Sequence, residues 1–299
     1  MPTFSLRTAS RLLLGLAPFA GGLFAAPTTT HAEATIHPAS SSSTLFAPLL
    51  ADPLEPRVAI QSYLDERSVQ LDIGHSSDIY RSDDGQFAAG VDFGTWSRLR
   101  RSNDFKFPVD AIDYLFGINA SWKTPWGEED ALFNEFSGRI RLSHISAHFE
   151  DGHFNAETGT WSTQPEWNGT TPFTFSREFL ELTMALSAPD KRVYAGFQYL
   201  YHTLPEGITP ASWHAGMEWA TSDKTWLAAD WKLLPVWQTA TARSEGLRGT
   251  WNLQAGMRLH NIGLDKVRLT CNYYSGISRH GMYFYRAESY ATAGVMIDF

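Results

Sequence analysis

The sequence predicts an all-β fold: a single antiparallel transmembrane β-barrel of about 12 strands, behind a removable N-terminal signal segment. Three observations carry that expectation. From residue 57 onward, runs of about ten residues alternate apolar with polar, the period of a strand and of no helix. The connections between runs alternate short and long, the rhythm of periplasmic turns and extracellular loops. After the N-terminus no stretch of about 18 apolar residues occurs, so no helix of the mature chain is expected to span a membrane.

Composition narrows the function classes. The 299 residues carry 24 Lys+Arg against 32 Asp+Glu, a formal net charge of −8, which gives no attraction to phosphate backbones and excludes a nucleic-acid partner. One cysteine, Cys271, excludes an internal disulfide framework and a Cys-based zinc finger. Aromatics reach 14%, with 11 Trp and 11 Tyr, and many fall near strand ends where interfacial anchors belong.

Taken in order, residues 1–34 read as a signal peptide. Arg7 and Arg11 give a positive start, Leu12 to Phe24 is apolar, and Ala32-Glu33-Ala34 is a small-residue cleavage site, with Ala25-Ala26 an earlier alternative. Residues 35–56 are an exported lead-in, and 57–299 form the barrel. The alternating runs fall at 57–64, 68–80, 86–98, 112–123, 137–149, 174–187, 191–201, 211–221, 224–236, 248–260, 265–275 and 289–299. Two connections break the rhythm: Asp65 to Arg67 is short for a loop, and Thr124 to Phe136 is long for a turn. The last run ends on Phe299, the kind of terminal aromatic that the barrel assembly machinery recognises; with the export signal and the aromatic strand ends, the expectation is a Gram-negative-type outer membrane.

A water-soluble sandwich also alternates, but its apolar face points inward. In a transmembrane barrel the apolar face meets lipid and the polar face fills the lumen. The polar faces here hold Asp72, Asp92, Glu181, Glu218 and Asp230 against Arg139, Arg141, Lys232, Arg258 and Arg268. Such a balanced set is expected to pair off as lumen packing, whereas a selective pore favours a constriction of one sign.

Candidate chemistry sits in Arg139 to Gly152. Parity puts His144, Ser146 and His148 on the lipid-facing side of their strand unless a bulge intervenes, near the outer rim, where polar groups are costly. His144 and His148 lie roughly 13 Å apart on a strand, too far to share a zinc ion. His144 and Ser146 are roughly 6.6 Å apart, close enough for a Ser nucleophile to lean onto a His base. Glu178, outward on the following strand, lands near both and could fix the imidazole tautomer. Glu150 and Asp151, at the rim, are candidate ligands for a calcium ion.

The segment Leu45 to Arg57, the run His144 to His148, and Tyr273-Tyr274-Ser275-Gly276 with Tyr283-Phe284-Tyr285-Arg286 resemble the bacterial family called domain of unknown function 1207. That resemblance covers most of the mature chain and implies export and a barrel. The His-x-Ser pair is also similar to the outer-membrane phospholipase A family, whose members are twelve-stranded barrels with such a pair facing lipid and a polar third residue on the next strand. The second resemblance implies Ser146 as nucleophile and His144 as base, with Glu178 where that family has Asn and His148 where it has Gly. The expectation is therefore a Ser-His lipid acyl-ester hydrolase acting on outer-membrane lipids, with calcium as a candidate cofactor and a second copy of the chain as a candidate partner. The alternative is a non-catalytic structural barrel or a narrow solute channel.

Overall fold

The computed structural model describes residue 35 and residues 44–298, apart from 102, 104–105, 129, 149–153, 156, 159, 162–174, 239–242 and 260–263. Twelve strands close into one antiparallel barrel. They are β1 (Val58–Tyr63), β2 (Ser68–Arg81), β3 (Phe87–Arg100), β4 (Val109–Pro125), β5 (Glu135–His148), β8 (Phe175–Ala188), β9 (Lys191–Leu204), β10 (Ala211–Ala220), β11 (Thr225–Gln238), β12 (Arg243–Leu259), β13 (Leu264–Ile277) and β14 (Ala287–Ile297). A two-residue hairpin, β6 (Phe154–Asn155) with β7 (Thr160–Trp161), stands apart in the connection after β5. Each alternating run in the sequence becomes one barrel strand. β12 begins five residues before its run because its backbone stays paired past a bulge opposite Pro235 and Trp237 and past Gly246 at φ 76°. Pairing there continues where side-chain alternation does not.

The faces follow parity. Trp213, Met217 and Trp219 on β10, Leu227 on β11, Leu253 and Met257 on β12, and Leu269 and Tyr273 on β13 all stand outward and exposed. The ten lumen charges named above are all buried. An apolar exterior around a charged interior is the inverse of a water-soluble protein, and it is the pattern lipid demands.

Among the described residues, two segments fill the lumen. Thr44 to Pro56 enters at the end of the barrel that carries the short turns. Leu50 N–H donates to Glu218 Oε1 at 2.7 Å, and Arg192 donates to the carbonyls of Ala47 and Pro48 at 2.7 and 2.8 Å. Asn252 Nδ2 donates to Ala51 O at 2.6 Å, Lys232 holds Asp52 at 2.8 Å, and both Arg139 and Arg141 grip Glu55. Phe46, Leu49, Leu50 and Ala51 are buried against Ala185, Tyr194, Ala220, Trp226 and Ala228. From the opposite end, the connection between β13 and β14 folds inward through a 3-10 turn, Gly281–Tyr283. There Arg279 holds Asp72 at 3.1 Å and His280 Nδ1 meets Asp113 at 2.9 Å. Gly281 is required at its position, since a Cβ there would lie 2.3 Å from the Phe175 ring.

β1 closes the barrel against β14 over six residue pairs, from Val58↔Ile297 to Tyr63↔Thr292. It is short because Pro56 and the residues before it turn into the lumen rather than continuing the wall.

Candidate functional site

β5 pairs with β4 and β8 without a register shift, so parity holds along it. His144, Ser146 and His148 therefore project outward, one pairing layer apart. Directly below them lies the apolar band of Ile118, Leu142, Leu180 and Tyr199, all exposed. The next layer up is Phe116, His144, Glu178 and His202, and the layer above that is Tyr114, Ser146 and Ser176. The chain thus changes from hydrocarbon-like to polar within one step of the ladder, about 7 Å along the strand.

Glu178 organises the cluster. It stands opposite His144 in register, and its Oε1 lies 2.6 Å from His144 Nδ1. Ser176 Oγ donates to the same oxygen at 2.9 Å. The other oxygen meets His202 Nδ1 at 2.5 Å. A carboxylate on Nδ1 fixes the tautomer of an imidazole and leaves Nε2 free to take a proton.

Ser146 Oγ lies 3.4 Å from His148 Nε2, and the His148 ring stands edge-on to Tyr114 with centroids 5.0 Å apart. The serine therefore has a histidine on each side along the same face, one bonded to it and one held by Glu178. Glu150 and Asp151 lie outside the described residues.

His202 escapes a reading by parity. Arg192, Tyr194 and Leu200 on β9 are buried, so an even-numbered residue there should face the lumen. A bulge shifts the register between Glu178↔His202 and Phe179↔Leu200, and it turns His202 outward onto Glu178. Bulges commonly re-aim a side chain beside a functional site.

A second cluster lies inside. Asp52, His214 and Asp230 have ligand atoms within 4.8 Å of one another, a spacing a metal ion could use. Lys232 Nζ already sits among them, 2.8 Å from Asp52 and 3.6 Å from Asp230, and the two carboxylates share its positive charge. Tyr194 OH donates to Asp230 at 2.9 Å, which completes a lumen network rather than a metal centre.

Among solved structures the chain is similar to outer membrane phospholipase A from Escherichia coli, with a TM-score of 0.55 at 13% identity over 81% of this chain and 97% of that one. An active-site mutant of the same protein gives 0.56 at 13% identity, over 86% and 94%. The calcium-bound dimer of the Salmonella typhi outer membrane phospholipase gives 0.55 at 12% identity, over 83% and 93%. At such identities the likeness establishes the fold, that of an outer-membrane β-barrel. A search of curated proteins finds no match. Residues 23–299 match one family over nearly the whole chain, and the protein belongs to it: the family described as Protein of unknown function (DUF1207).

Proposed function

We propose that this protein is an outer-membrane lipid acyl-ester hydrolase whose reacting groups face the bilayer. The observation that carries the reading is the Glu178 carboxylate on His144 Nδ1, beside a serine on the same outward face. Ser146 Oγ attacks the ester carbonyl carbon and its proton passes to His144 Nε2. The imidazolium then protonates the leaving alcohol, and water releases the fatty acid from the acyl-enzyme. Reaching His144 takes a turn of the Ser146 hydroxyl away from His148, and hydrogen bonds in empty sites often tighten only around substrate. Glu178, pinned by Ser176 and His202, keeps the base oriented. An outward site suits a substrate that arrives sideways from the membrane.

The same reading includes removal of residues 1–34 on export, recognition by the assembly machinery of the C-terminal segment with Phe299, which lies outside the described residues, and calcium and a second copy as candidate participants. The Ser146–His148 bond favours a second reading, a closed barrel without catalysis, in which these side chains hydrogen-bond lipid headgroups.

Fatty-acid release from phospholipid–detergent micelles separates the two. Refolded wild type should release fatty acid, and Ser146→Ala should lower the rate by about 10³-fold or more while leaving the barrel folded. Each protein is assayed with calcium and with chelator. No release from either folded protein favours the closed barrel, and equal release from both removes Ser146 from the chemistry.

A further inference from the structure

One guanidinium inside the barrel lacks what its neighbours have. Arg139 and Arg141 share Glu55, Arg192 holds Glu218 at 2.8 Å, and Arg279 holds Asp72 at 3.1 Å. Arg177 points inward from β8 beside buried Ile145, and its Cζ lies over the rings of Phe175 and Phe284 at 4.7 and 5.7 Å. Among the described residues it forms no ion pair, and its Nε, shut off from solvent, has no hydrogen-bond partner. Asp113 acts on it through space, but that carboxylate is engaged by His280 Nδ1 at 2.9 Å and by the Gly281 N–H at 2.8 Å.

Arg177 borders a cavity of about 60 Å³ between the lumen segment and the residues following β13. Among the described residues three cations line it, Arg177, Lys232 and Arg279, and no carboxylate does. Much of the remaining wall is apolar, with Leu54, Phe179 and Leu234 among it. A water needs about 10–15 Å³ of such space, so the cavity has room for a few non-hydrogen atoms. Leaving a buried cation uncompensated is costly, and with Lys232 held by Asp52 and Arg279 by Asp72 that cost falls on Arg177.

We propose that this cavity binds a small monocarboxylate, of formate or acetate size. Its two oxygens accept hydrogen bonds from the Arg177 fork, a geometry that guanidinium and carboxylate share, and its carbon end lies against the apolar wall. The site is lumenal, on the opposite side of the wall from Ser146, and does not depend on ester hydrolysis.

The test uses the folded full-length protein in detergent micelles and ¹³C-labelled acetate, observed by saturation-transfer NMR at constant ionic strength. Wild type should bind acetate saturably. Arg177→Met should weaken binding by about tenfold or more, since it removes a charge-assisted bidentate pair. Arg177→Lys keeps the charge and loses the fork, and should fall between the two. The unfolding temperature should rise with acetate most in wild type, less in Arg177→Lys and least in Arg177→Met, and not with gluconate, which is too large to enter. No saturable binding to wild type, or equal affinity across the three proteins, overturns the site. Displacement by chloride as readily as by formate overturns the carboxylate assignment. If Arg177→Met does not fold, Arg177→Lys decides, and affinity equal to wild type counts against the proposal.

Discussion

Glu178 is bound by two histidines and a serine, and its two oxygens do different work. Oε1 meets His144 and Ser176, and Oε2 meets His202. Under the hydrolase reading, Glu178→Gln keeps the shape but presents a neutral amide to Nδ1, so the rate of fatty-acid release should fall by about 10²–10⁴-fold. His202→Ala should cause a smaller fall, because Ser176 and His144 still hold the carboxylate. Steady-state assays on folded variants check both, and a His202→Ala loss as large as that of Ser146→Ala would give His202 a direct part in the chemistry. At this scale the sequence was legible where alternation runs unbroken. His144, Ser146, His148 and Glu178 could be assigned a face from parity alone, because no bulge interrupts β5. His202 could not, because the β9 bulge that turns it outward leaves no mark in the pattern. Nor does spacing fix a hydroxyl rotor, so the bond from Ser146 to His148 was beyond reach.

The lumen segment depends on two carboxylates outside the wall strands. Burial alone would push the Glu55 pKa up, but the Arg139 and Arg141 guanidiniums outweigh it and hold the carboxyl below its ordinary value. Asp52 is likewise held low against its burial, chiefly by Lys232 and His214. A depressed carboxylate pKa contributes stability above its unfolded value, and that contribution disappears as pH falls through the folded one. Acid should therefore loosen Thr44–Pro56 before the wall strands give way, measured as protease cleavage within that segment of the folded barrel. Glu55→Gln removes the nearest carboxylate from Arg139 and Arg141, leaving them Glu181 and Asp92, and should destabilise the segment by up to about 3–5 kcal/mol. Paired with Asp52→Asn, it should turn a barrel that is closed in planar bilayers into one that conducts. A double variant that stays closed would show that the apolar contacts of Phe46, Leu49 and Leu50 suffice. Composition alone reads the lead-in as a linker, and nothing local marks it otherwise. Its contacts are long-range, as between Asn252 and Ala51, so only the closed barrel reveals where it lies.

For the whole molecule, the alternating runs gave strand number, order and facing, because lipid outside and polar packing inside leave a strand few other ways to lie. The filled lumen was legible only in part, since balanced charges announced packing without naming the partners. Several of those charges pair with Asp52, Glu55 and Arg279, which come from the lead-in and a loop rather than from facing strands. A closed barrel with this many paired backbones should run at a different mobility in electrophoresis before and after heating. A chain that is monomeric and folded without detergent would contradict the outward apolar face.

The seam between β1 and β14 holds only six residue pairs, and the segment that fills the lumen leads directly into β1. Insertion of that segment and zipping of the seam are thus successive events on one length of chain. A wall zipped first would have to be threaded afterwards, past Arg139, Arg141 and Arg192, whose bonds to Glu55, Ala47 and Pro48 only the segment supplies. The order that avoids this is to lay the segment against the open sheet, make those bonds, and then close. In folding terms the lead-in acts as a template for the barrel's last step, and its loss should slow closure more than it weakens the finished wall.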